Sequence, residues 1–291
     1  MNRKHALMLG ALSLIWGSSF MFIKVAVREL DPVTLVWLRL SLAASVLIPF
    51  ALVVVGRPAI GEARAAAGRL VVLGVLNSAI PFALISWAET RIDSGLAAIL
   101  QTAAPLFTVM IATRMGHERV AGGRLAGFLV GFVGVALLVG AHARGGLTPA
   151  LAVILAALAY SAAGIFAARR LRDTEPLVVA AGSMLGATIL MAPLGLAALP
   201  ASVPGWKEIA SVVVLGIVGT GVAYVLYFEL LREAGASRSI LVTYLVPPVA
   251  VAYGVLLLGE PLQTAAVAGL VLILGGVALA GRRARAVDPP G

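Results

Sequence analysis

The apolar stretch LAGFLVGFVGVALLVG at residues 125–140 returns 142 residues later as VAGLVLILGGVALAG at residues 267–281. Neither copy contains a charged side chain, and both are rich in glycine. With its flanks, each stretch reaches the length of about 18 residues that lets a helix cross the hydrocarbon core of a bilayer. The pair therefore indicates a membrane protein and, at the same time, an internal repeat.

The composition of the whole chain agrees with this interpretation. Hydrophobic residues make up 61% of the 291 residues and charged residues only 12%, whereas soluble domains carry about 25% charged residues. There is no cysteine, which excludes disulfides, thiolate metal sites and a cysteine nucleophile. These numbers exclude a water-soluble core, and the long apolar runs predict an all-α integral membrane protein.

The apolar runs between charged, Pro-rich and Gly-rich segments predict ten transmembrane helices. They leave loops of about 4–14 residues, in which no soluble domain fits. The first run follows MNRKH as a secretory signal would, but no small-residue cleavage site follows it, so we expect an uncleaved first helix. The predicted spans 1 to 10 are residues 6–27, 33–55, 70–88, 94–113, 124–141, 148–168, 177–199, 209–231, 236–258 and 264–281.

The basic residues give these spans an orientation. If the N-terminus is cytoplasmic, most of the 22 Lys and Arg residues fall in cytoplasmic segments, as the positive-inside rule requires. The net charge of +9 is then a consequence of topology and gives no reason to expect a nucleic-acid partner. We therefore predict a multi-pass protein of a bacterial inner membrane with both termini in the cytoplasm.

Two offsets relate the first half of the chain to the second. At 142 residues, VVLG at 71–74 meets VVLG at 213–216, and Pro105 meets Pro247. A second identical tetrapeptide, GVAL, has the same offset. At 144 residues, the indole of span 1 meets a phenol of span 6. Two identical tetrapeptides at one offset exceed what an apolar bias readily produces, so the halves are related in pattern.

Each half contains an odd number of spans, so the second copy must enter the membrane from the opposite side. The predicted fold class is therefore ten transmembrane helices arranged as two inverted five-helix repeats, residues 1–146 and residues 147–291, the second with a short cytoplasmic tail. Inverted repeats of this kind let two halves exchange inward-facing and outward-facing conformations around a central site.

Five segments carry a family resemblance. They are LIWGSSFMFIK in span 1, WLRLSLAA in span 2, GLAAILQTAAPLFTVMIATRMGHE in and after span 4, LAGFLVGFVGVALLVG in span 5 and SILVTYLVPPVAVAYGVLLLGEPLQTAAVAGLVLILGGVALAG at the end. They resemble the EamA type of the drug/metabolite transporter superfamily, which implies ten helices and the export or facilitated transport of amino acids and other small metabolites. The chain departs from that pattern at Tyr160, where the family often repeats the tryptophan, and at GHE, residues 116–118, where an apolar residue, Gly and Glu are usual.

Polar side chains near the middle of the spans mark a predicted substrate pathway, because an uncompensated polar group in hydrocarbon is costly. A single Ser or Thr has an alternative role in bonding its own helix backbone, whereas one such bond cannot satisfy a primary amide. The aromatic residues have simple packing as their alternative. The predicted substrate-binding residues are Trp16, Ser19, Asn77, Gln101, Tyr160, Tyr224, Thr243 and Tyr244.

Three prolines lie in mid-span, where a proline removes a backbone hydrogen bond and kinks or breaks the helix. Pro105 lies in span 4, and Pro247 and Pro248 lie in span 9. Two interpretations stay open. These prolines are either gating kinks that let the spans flex or present carbonyls to a substrate, or static kinks needed for packing.

Two basic residues lie within the spans, where an ionisable group is a functional candidate by default. Lys24 and Arg39 lie about 10 Å and about 8 Å to the outer side of the midplane at 1.5 Å per residue, so both point to an external vestibule. In one interpretation, one of them binds a substrate carboxylate. In the other, Lys24 extends to the outer surface, and Arg39 bonds helix-end carbonyls or pairs with Glu89.

No carboxylate or histidine occupies the predicted midplane, so the sequence shows no dedicated site for proton or sodium coupling. Nearer the cytoplasm, Glu229 is expected to form a local salt bridge with Arg232 or Arg238. Facilitated diffusion or loose coupling is therefore the preferred mechanism.

The sequence contains no GxxxxGK[ST] phosphate loop, no HExxH and no G-x-S-x-G elbow, so it predicts neither an ATP-driven pump nor an enzyme, and no cofactor or metal.

The amides, hydroxyls, phenols and one indole of the predicted site suit a small neutral or zwitterionic molecule. The predicted function is amino-acid transport by alternating access through a central cavity, and the family resemblance implies export as its direction. The alternatives are a carrier of other metabolites, nucleotide sugars or drugs, a membrane-embedded enzyme and a scaffold subunit. The expected partners are a small-molecule substrate and the lipid bilayer, with the chain a monomer or homodimer.

Overall fold

The computed structural model describes residues 3–114, 123–141, 147–235, 239 and 241–280, and all regular structure in these ranges is helical. The long helices are named α1 to α10 in chain order, and a short unlabelled helix, Pro58–Ala65, follows α2. Their bounds are α1 Arg3–Ala26, α2 Pro32–Val54, α3 Ala67–Glu89, α4 Ser94–Gln101 with Ala104–Arg114, α5 Gly123–Ala141, α6 Leu147–Arg170, α7 Pro176–Ala197, α8 Trp206–Ala234, α9 Val242–Leu258 and α10 Thr264–Ala280.

Seven of the described helices are long and apolar enough to cross a membrane, by length and composition: α1 to α4 and α6 to α8. α9 is a shorter apolar helix, and α10 contains another. Large apolar side chains such as Leu7, Val53 and Leu256 lie exposed on the outside of the helices, which suits a surface covered by lipid chains. The prediction of an all-α membrane protein is confirmed, and the total of ten spans stays a prediction.

α2 and α7 begin at the same sequence signal, an acidic residue followed by proline. The side chain of Asp31 accepts a hydrogen bond from the backbone N–H of Val33 at 2.8 Å, and Pro32 takes the first helical position. Pro176 takes the same position in α7. Proline fits there because it has no N–H to leave unpaired, and an aspartate before it satisfies another of the free N–H groups. The 144-residue offset in the sequence thus recurs as a shared helix start.

α3 and α8 each contain a wider, π-helical segment at corresponding positions. The segment is Val75–Ala79 in α3 and Val214–Val222 in α8. The 142-residue offset maps the first segment onto residues 217–221, inside the second. π-helical turns are rare and occur often at functional sites. The same irregularity therefore marks the same part of both halves.

The contacts between helices also come in pairs that match the two halves. α2 packs along α7, and α5 packs along α10. α1 packs against α9 as α6 packs against α4, and α1 lies along α8 as α6 lies along α3. α2 crosses α8, and α7 crosses α3. Exchanging the two halves maps each of these contacts onto itself or onto another of them.

A glycine allows close approach at each crossing of the last pair. A Cβ atom on Gly216 of α8 would lie 3.0 Å from the carbonyl oxygen of Arg39 on α2 and would also meet Leu42. A Cβ atom on Gly74 of α3 would meet the carbonyl oxygen of Ser183 on α7. The two glycines are 142 residues apart and the two carbonyls 144, so the contacts correspond. A side chain at either glycine would push the helices apart.

The two ends of the helix bundle are named here by α1, which begins at the N-terminal end and finishes at the far end. At the N-terminal end, Lys4 Nζ donates to Glu233 Oε1 of α8 at 2.6 Å. At the far end, Lys24 Nζ donates to the carbonyl oxygens of Glu89 and Ile92, both at 2.7 Å. The turn between α3 and α4 therefore lies at the far end.

Candidate functional site

Arg39 of α2 is buried at the crossing with α8, with 6% of its surface exposed. Its Nε donates to the hydroxyl of Thr220 at 2.9 Å, and its guanidinium lies 3.9 Å from the centroid of the Phe82 ring on α3. Of the three guanidinium nitrogens of Arg39, only Nε has a hydrogen bond to the described residues. The two terminal nitrogens, which form the fork that binds carboxylates, have no protein partner there.

Thr220, the hydrogen-bond partner of Arg39, lies in the π-helical segment of α8. The hydroxyl of Thr220 donates to the carbonyl oxygen of Leu215, five residues earlier, at 2.9 Å. That bond provides a donor for a backbone carbonyl in the wide π-helical turn. The hydroxyl oxygen can still accept a hydrogen bond from the guanidinium. One hydroxyl thus stabilises the irregular turn and orients the buried arginine.

Two tyrosines and an amide complete the surroundings of Arg39. Tyr160 of α6 and Tyr224 of α8 both interact electrostatically with Arg39. Asn77 Nδ2, in the π-helical segment of α3, donates to the Tyr224 hydroxyl at 2.9 Å. The name Arg39 cluster is used below for Arg39, Asn77, Phe82, Tyr160, Thr220 and Tyr224. It brings together side chains of α2, α3, α6 and α8.

A row of aromatic rings connects the Arg39 cluster to α1. The rings of Tyr224 and Phe228 are 6.0 Å apart, and those of Phe228 and Tyr227 are 5.8 Å apart. The Tyr227 ring lies 5.4 Å from that of Trp16. These distances are typical of favourable aromatic pairs. Trp16, Tyr227, Phe228 and Tyr224 are called the aromatic row.

The remaining predicted site residues are distributed more widely. Ser19 donates to the carbonyl of Ile15 at 3.2 Å, the backbone role given above as an alternative for Ser and Thr. Gln101 is partly buried at the end of the first segment of α4, and no hydrogen bond joins its side chain to the described residues. Tyr244 packs against the apolar core, whereas Thr243 is exposed. Substrate binding by these residues stays a prediction.

The three mid-span prolines have different effects on their helices. In α4, the helix is interrupted between Gln101 and Ala104, just before Pro105. Thr102 lies in this break, and its hydroxyl donates to the carbonyl of Ile99 at 2.5 Å. In α9, the helix continues through Pro247 and Pro248. A gating role for any of the three stays a prediction.

The contacts of Lys24 and Arg39 differ from those that the sequence suggested. Lys24 donates to helix-end carbonyls, as described above. The pairing of Arg39 with Glu89, one of the alternatives above, does not form a hydrogen-bonded salt bridge, because neither carboxyl oxygen of Glu89 has a hydrogen-bond partner among the described residues. The two charges interact electrostatically without such a bond. The expected salt bridge of Glu229 with Arg232 is confirmed, at 2.7 Å.

A second set of contacts joins the two halves at the far end. Glu260, which follows α9, accepts hydrogen bonds from Ser94 N at 2.8 Å, from the Ser94 hydroxyl at 2.9 Å and from Gly95 N at 3.2 Å. These groups form the first turn of α4, where free N–H groups favour a carboxylate. Together with the two bonds of Lys24, this contact is called the far-end clamp.

Sequence reasoning missed the importance of Phe82 and Glu260, and it noted Thr220 only as a polar residue in mid-span. A signal for two of them was present, because the 142-residue offset pairs Phe82 with Tyr224 and Glu260 with Glu118. The offset could not show that Phe82 lies against Arg39, since that contact depends on how α2 and α3 pack.

A groove elsewhere on the molecule is separate from this cluster. It has a volume of ≈ 330 Å³ and lies between α2, the short helix Pro58–Ala65 and α7. Its lining includes Ile48, Arg64 and Leu185, but no predicted site residue. The Arg39 cluster therefore stays the strongest candidate site in the described residues.

Seven membrane-length helices and a buried polar cluster define a multi-pass integral membrane protein. The model of the EamA-like transporter family matches the chain twice, at residues 3–140 and 147–282. The chain belongs to this family and is a membrane transporter rather than an enzyme. The family resemblance inferred from the sequence segments is thus confirmed.

Similar proteins agree with this assignment. A probable terminal-alkyne amino-acid exporter of Streptantibioticus cattleyicolor is 30% identical over 278 residues, which cover 92% of this chain and 90% of that protein. A probable amino-acid metabolite efflux pump of Escherichia coli is 28% identical over 291 residues, covering 95% and 94%. A crystal structure with 22% identity has a TM-score of 0.67 over 97% of both chains, which shows a shared fold.

Proposed function

We propose that this protein exports amino acids, or similar small neutral or zwitterionic metabolites, and that Arg39 binds the substrate carboxylate. The observation that carries the proposal is the buried guanidinium with two terminal nitrogens that have no partner in the described residues. A planar fork of this kind matches a carboxylate bidentately. The two relatives above, named as an amino-acid exporter and an amino-acid metabolite efflux pump, support the same substrate class.

The charge balance around Arg39 favours an anionic group in the substrate. Within the described residues, no acidic side chain forms an ion pair with Arg39. A buried charge without a partner is costly, and a bound carboxylate would neutralise it. The neighbouring phenols and amide are neutral, so the site as a whole suits a carboxylate that belongs to a small zwitterion.

The rest of the substrate has a suitable surface beside the carboxylate site. The aromatic row continues from Tyr224 towards Trp16 and offers ring faces to an uncharged or apolar side chain. Asn77 and the phenols offer hydrogen bonds to an amino group or hydroxyl. Ser19, Gln101, Thr243 and Tyr244 would line other stages of the same pathway.

Transport would proceed by alternating access between two inverted five-helix repeats, residues 1–146 and 147–291, that together cross the membrane ten times. The paired helix contacts and the corresponding glycine crossings support this exchange symmetry. The bend at Pro105 and the prolines of α9 would serve as the flexible points of the gates. The mechanism is facilitated diffusion or loose coupling, by a monomer or by a homodimer in which each protomer holds a complete pathway.

The orientation places both termini in the cytoplasm of a bacterial cell, with the protein in the inner membrane. It is supported by the distribution of Lys and Arg residues. α1 then runs outward, and the far end is the external side. The far-end clamp would close the external side of the pathway, and export would require it to open.

Counterflow in proteoliposomes tests the proposed function. Vesicles are loaded with one unlabelled amino acid at a time, trace labelled amino acid is added outside, and accumulation is measured without an ion gradient. We expect accumulation by the wild type. Arg39→Lys keeps the charge but not the fork, so it should accumulate much less label.

A surface arginine provides the matched control. Arg172 is exposed and forms an ion pair with Asp173 at 3.3 Å, so Arg172→Gln should transport as the wild type does. Absence of exchange with every amino acid would favour one of the other solute classes: other metabolites, nucleotide sugars or drugs. Full exchange by Arg39→Lys would reject the bidentate role of Arg39.

A further inference from the structure

Glu89, at the last turn of α3, is completely buried, and neither of its carboxyl oxygens has a hydrogen-bond partner within the described residues. Buried polar groups in proteins are nearly always hydrogen-bonded, so each exception requires an explanation. An ionisable residue inside a membrane protein is a functional candidate in its own right. Neither the Arg39 cluster nor the far-end clamp uses this carboxyl group.

Three charged groups act on the Glu89 carboxyl from different parts of the fold: Lys24 of α1, Arg39 of α2 and Glu260 after α9. The ammonium of Lys24 is already bonded to the backbone carbonyls of Glu89 and Ile92. The hydrogen bond of Arg39 goes to Thr220, and the hydrogen bonds of Glu260 come from the first turn of α4. Neither residue is hydrogen-bonded to the carboxyl group of Glu89. The charged groups that act on Glu89 therefore form their hydrogen bonds with other partners and leave its carboxyl oxygens without one.

The other elements packed near Glu89 add few ionisable groups. α6 lies along α3, and its residues 147–159 include none. Asp93, just before α4, lines the same small cavity as Glu260. The charges that act on Glu89 are thus one ammonium, one guanidinium and the carboxylate of Glu260.

We propose that Glu89 is a proton-binding site that links proton binding to closure of the far end of the transport pathway. The proposal rests on the export function above and names its regulation. The reaction is the addition of one proton from water to a carboxylate, and no other bond is made or broken. A neutral acid tolerates a dry site without donors far better than a carboxylate does.

The far-end clamp provides the link between proton and gate. An ionised Glu89 attracts the ammonium of Lys24, in competition with the two backbone carbonyls that it bonds in the closed state. It also repels Glu260, which holds the first turn of α4. Loss of the proton therefore weakens both parts of the clamp and favours opening to water. An acidic exterior, in turn, favours closure and the return of the empty carrier.

Cysteine labelling tests this link without any substrate. The chain has no cysteine, so a single-cysteine variant reports exposure at one point. Ser86 is 1% exposed and lies one turn before Glu89, so the nearly isosteric Ser86→Cys reports opening. Thr90→Cys lies at an exposed position of the same turn and corrects for the pH dependence of thiol reactivity. Both variants are alkylated by a charged maleimide in lipid nanodiscs across a range of pH.

We expect the labelling rate of Ser86→Cys, relative to that of Thr90→Cys, to rise with pH, with a limit of about tenfold per pH unit for one linked proton. Adding Glu89→Gln should keep this ratio low and flat, because glutamine resembles the protonated acid. Glu29→Gln is the control, since Glu29 is an exposed carboxylate of the same end that bonds Gly205 N at 2.7 Å. It should keep the wild-type pH response.

The outcomes separate this proposal from the proposed function. The proton site is overturned if the ratio of the Ser86→Cys to the Thr90→Cys labelling rate does not change with pH while Glu89 is present. It is also overturned if this ratio rises equally with pH after Glu89→Gln. Unchanged labelling of the Thr90→Cys reference and an unchanged thermal midpoint show that Glu89→Gln is folded. If counterflow finds no amino-acid exchange while the pH response depends on Glu89, the substrate assignment fails and the proton site stands.

Discussion

The crossing of α2 with α8 and the crossing of α3 with α7 have the same backbone contact and different chemistry. In the first, Gly216 meets the carbonyl of Arg39, and in the second Gly74 meets the carbonyl of Ser183. The side chain of Arg39 then reaches across to α8. The side chain of Ser183 instead donates to its own helix, at the Ala180 carbonyl at 3.0 Å.

The partners across each crossing differ in the same way. Thr220 accepts a bond from Arg39. Its counterpart by the 142-residue offset, Ser78, has the sulfur of Met184 at 3.8 Å and also interacts with the Tyr224 hydroxyl, but it has no charged partner. Related backbones therefore fix how the helices pack, and only the crossing of α2 with α8 carries a charged side chain. The comparison shows that a repeat can keep its scaffold in both copies while the two corresponding crossings differ in side-chain chemistry.

Removing the charge from one crossing should have the largest effect. Arg39→Gln is expected to raise the substrate concentration for half-maximal counterflow by about 100-fold, because hydrogen bonds to a charged group contribute about 1.5–3 kcal/mol. Ser183→Ala, at the corresponding position, should change it by less than about twofold. Equal losses in both variants would contradict the assignment of the site to the crossing of α2 with α8.

Adding a methyl group at each close contact tests the shared scaffold. Gly216→Ala and Gly74→Ala should both destabilise the protein by about 1–3 kcal/mol, since each Cβ meets backbone of the neighbouring helix. Thermal unfolding in lipid nanodiscs measures this loss. Only Gly216→Ala should also weaken substrate binding, because it displaces Arg39. A tolerated substitution at either glycine would show that the crossing is looser than the packing indicates.

Removing the hydroxyl across each crossing should have a smaller effect. Thr220→Val keeps the shape of the side chain and leaves the Nε–H of Arg39 without its acceptor, at a cost of about 1–3 kcal/mol. We expect about a tenfold loss in counterflow efficiency. Ser78→Ala serves as the matched variant and should lose much less, because Ser78 contacts the neutral Tyr224 and not Arg39. If the two variants behave alike, the hydroxyl of Thr220 does not orient Arg39.

The smallest predicted effect concerns the link between α3 and α8. Tyr224→Phe removes the acceptor of Asn77 but keeps the ring in the aromatic row. One neutral hydrogen bond contributes about 1 kcal/mol, so the thermal midpoint should fall by a few degrees and counterflow should weaken by less than about tenfold. Phe82→Tyr, at the corresponding position, is the comparison, because it adds a hydroxyl beside the guanidinium instead of removing one.

Much of the fold could be predicted from composition and offsets. Apolar runs predicted an all-helical membrane protein, because the backbone must satisfy its own hydrogen bonds in lipid. The 142-residue and 144-residue offsets predicted that the two halves are related in pattern. Short-range pairs were also accessible, as Glu229 and Arg232 show. The family resemblance rested on the same apolar segments and was confirmed.

The candidate site was only partly accessible from the sequence. Asn77, Tyr160, Tyr224 and Arg39 were named as polar residues within spans, but their association was not. The bond from Arg39 to Thr220 joins residues 181 positions apart, and that from Asn77 to Tyr224 joins residues 147 positions apart. Thr220 was likewise not among the partners that the sequence suggested for Arg39, which were a substrate carboxylate, helix-end carbonyls and Glu89.

The sequence by itself determined the helices, the repeat and the family, because these follow from apolar length, from punctuation by proline and glycine, and from matching segments. Only the tertiary structure decided which side chains share a site. A helix that is apolar on every side does not reveal which face turns inward, and lipid is as apolar as the protein core. The rotation of each helix is therefore fixed by close contacts such as those of Gly74 and Gly216.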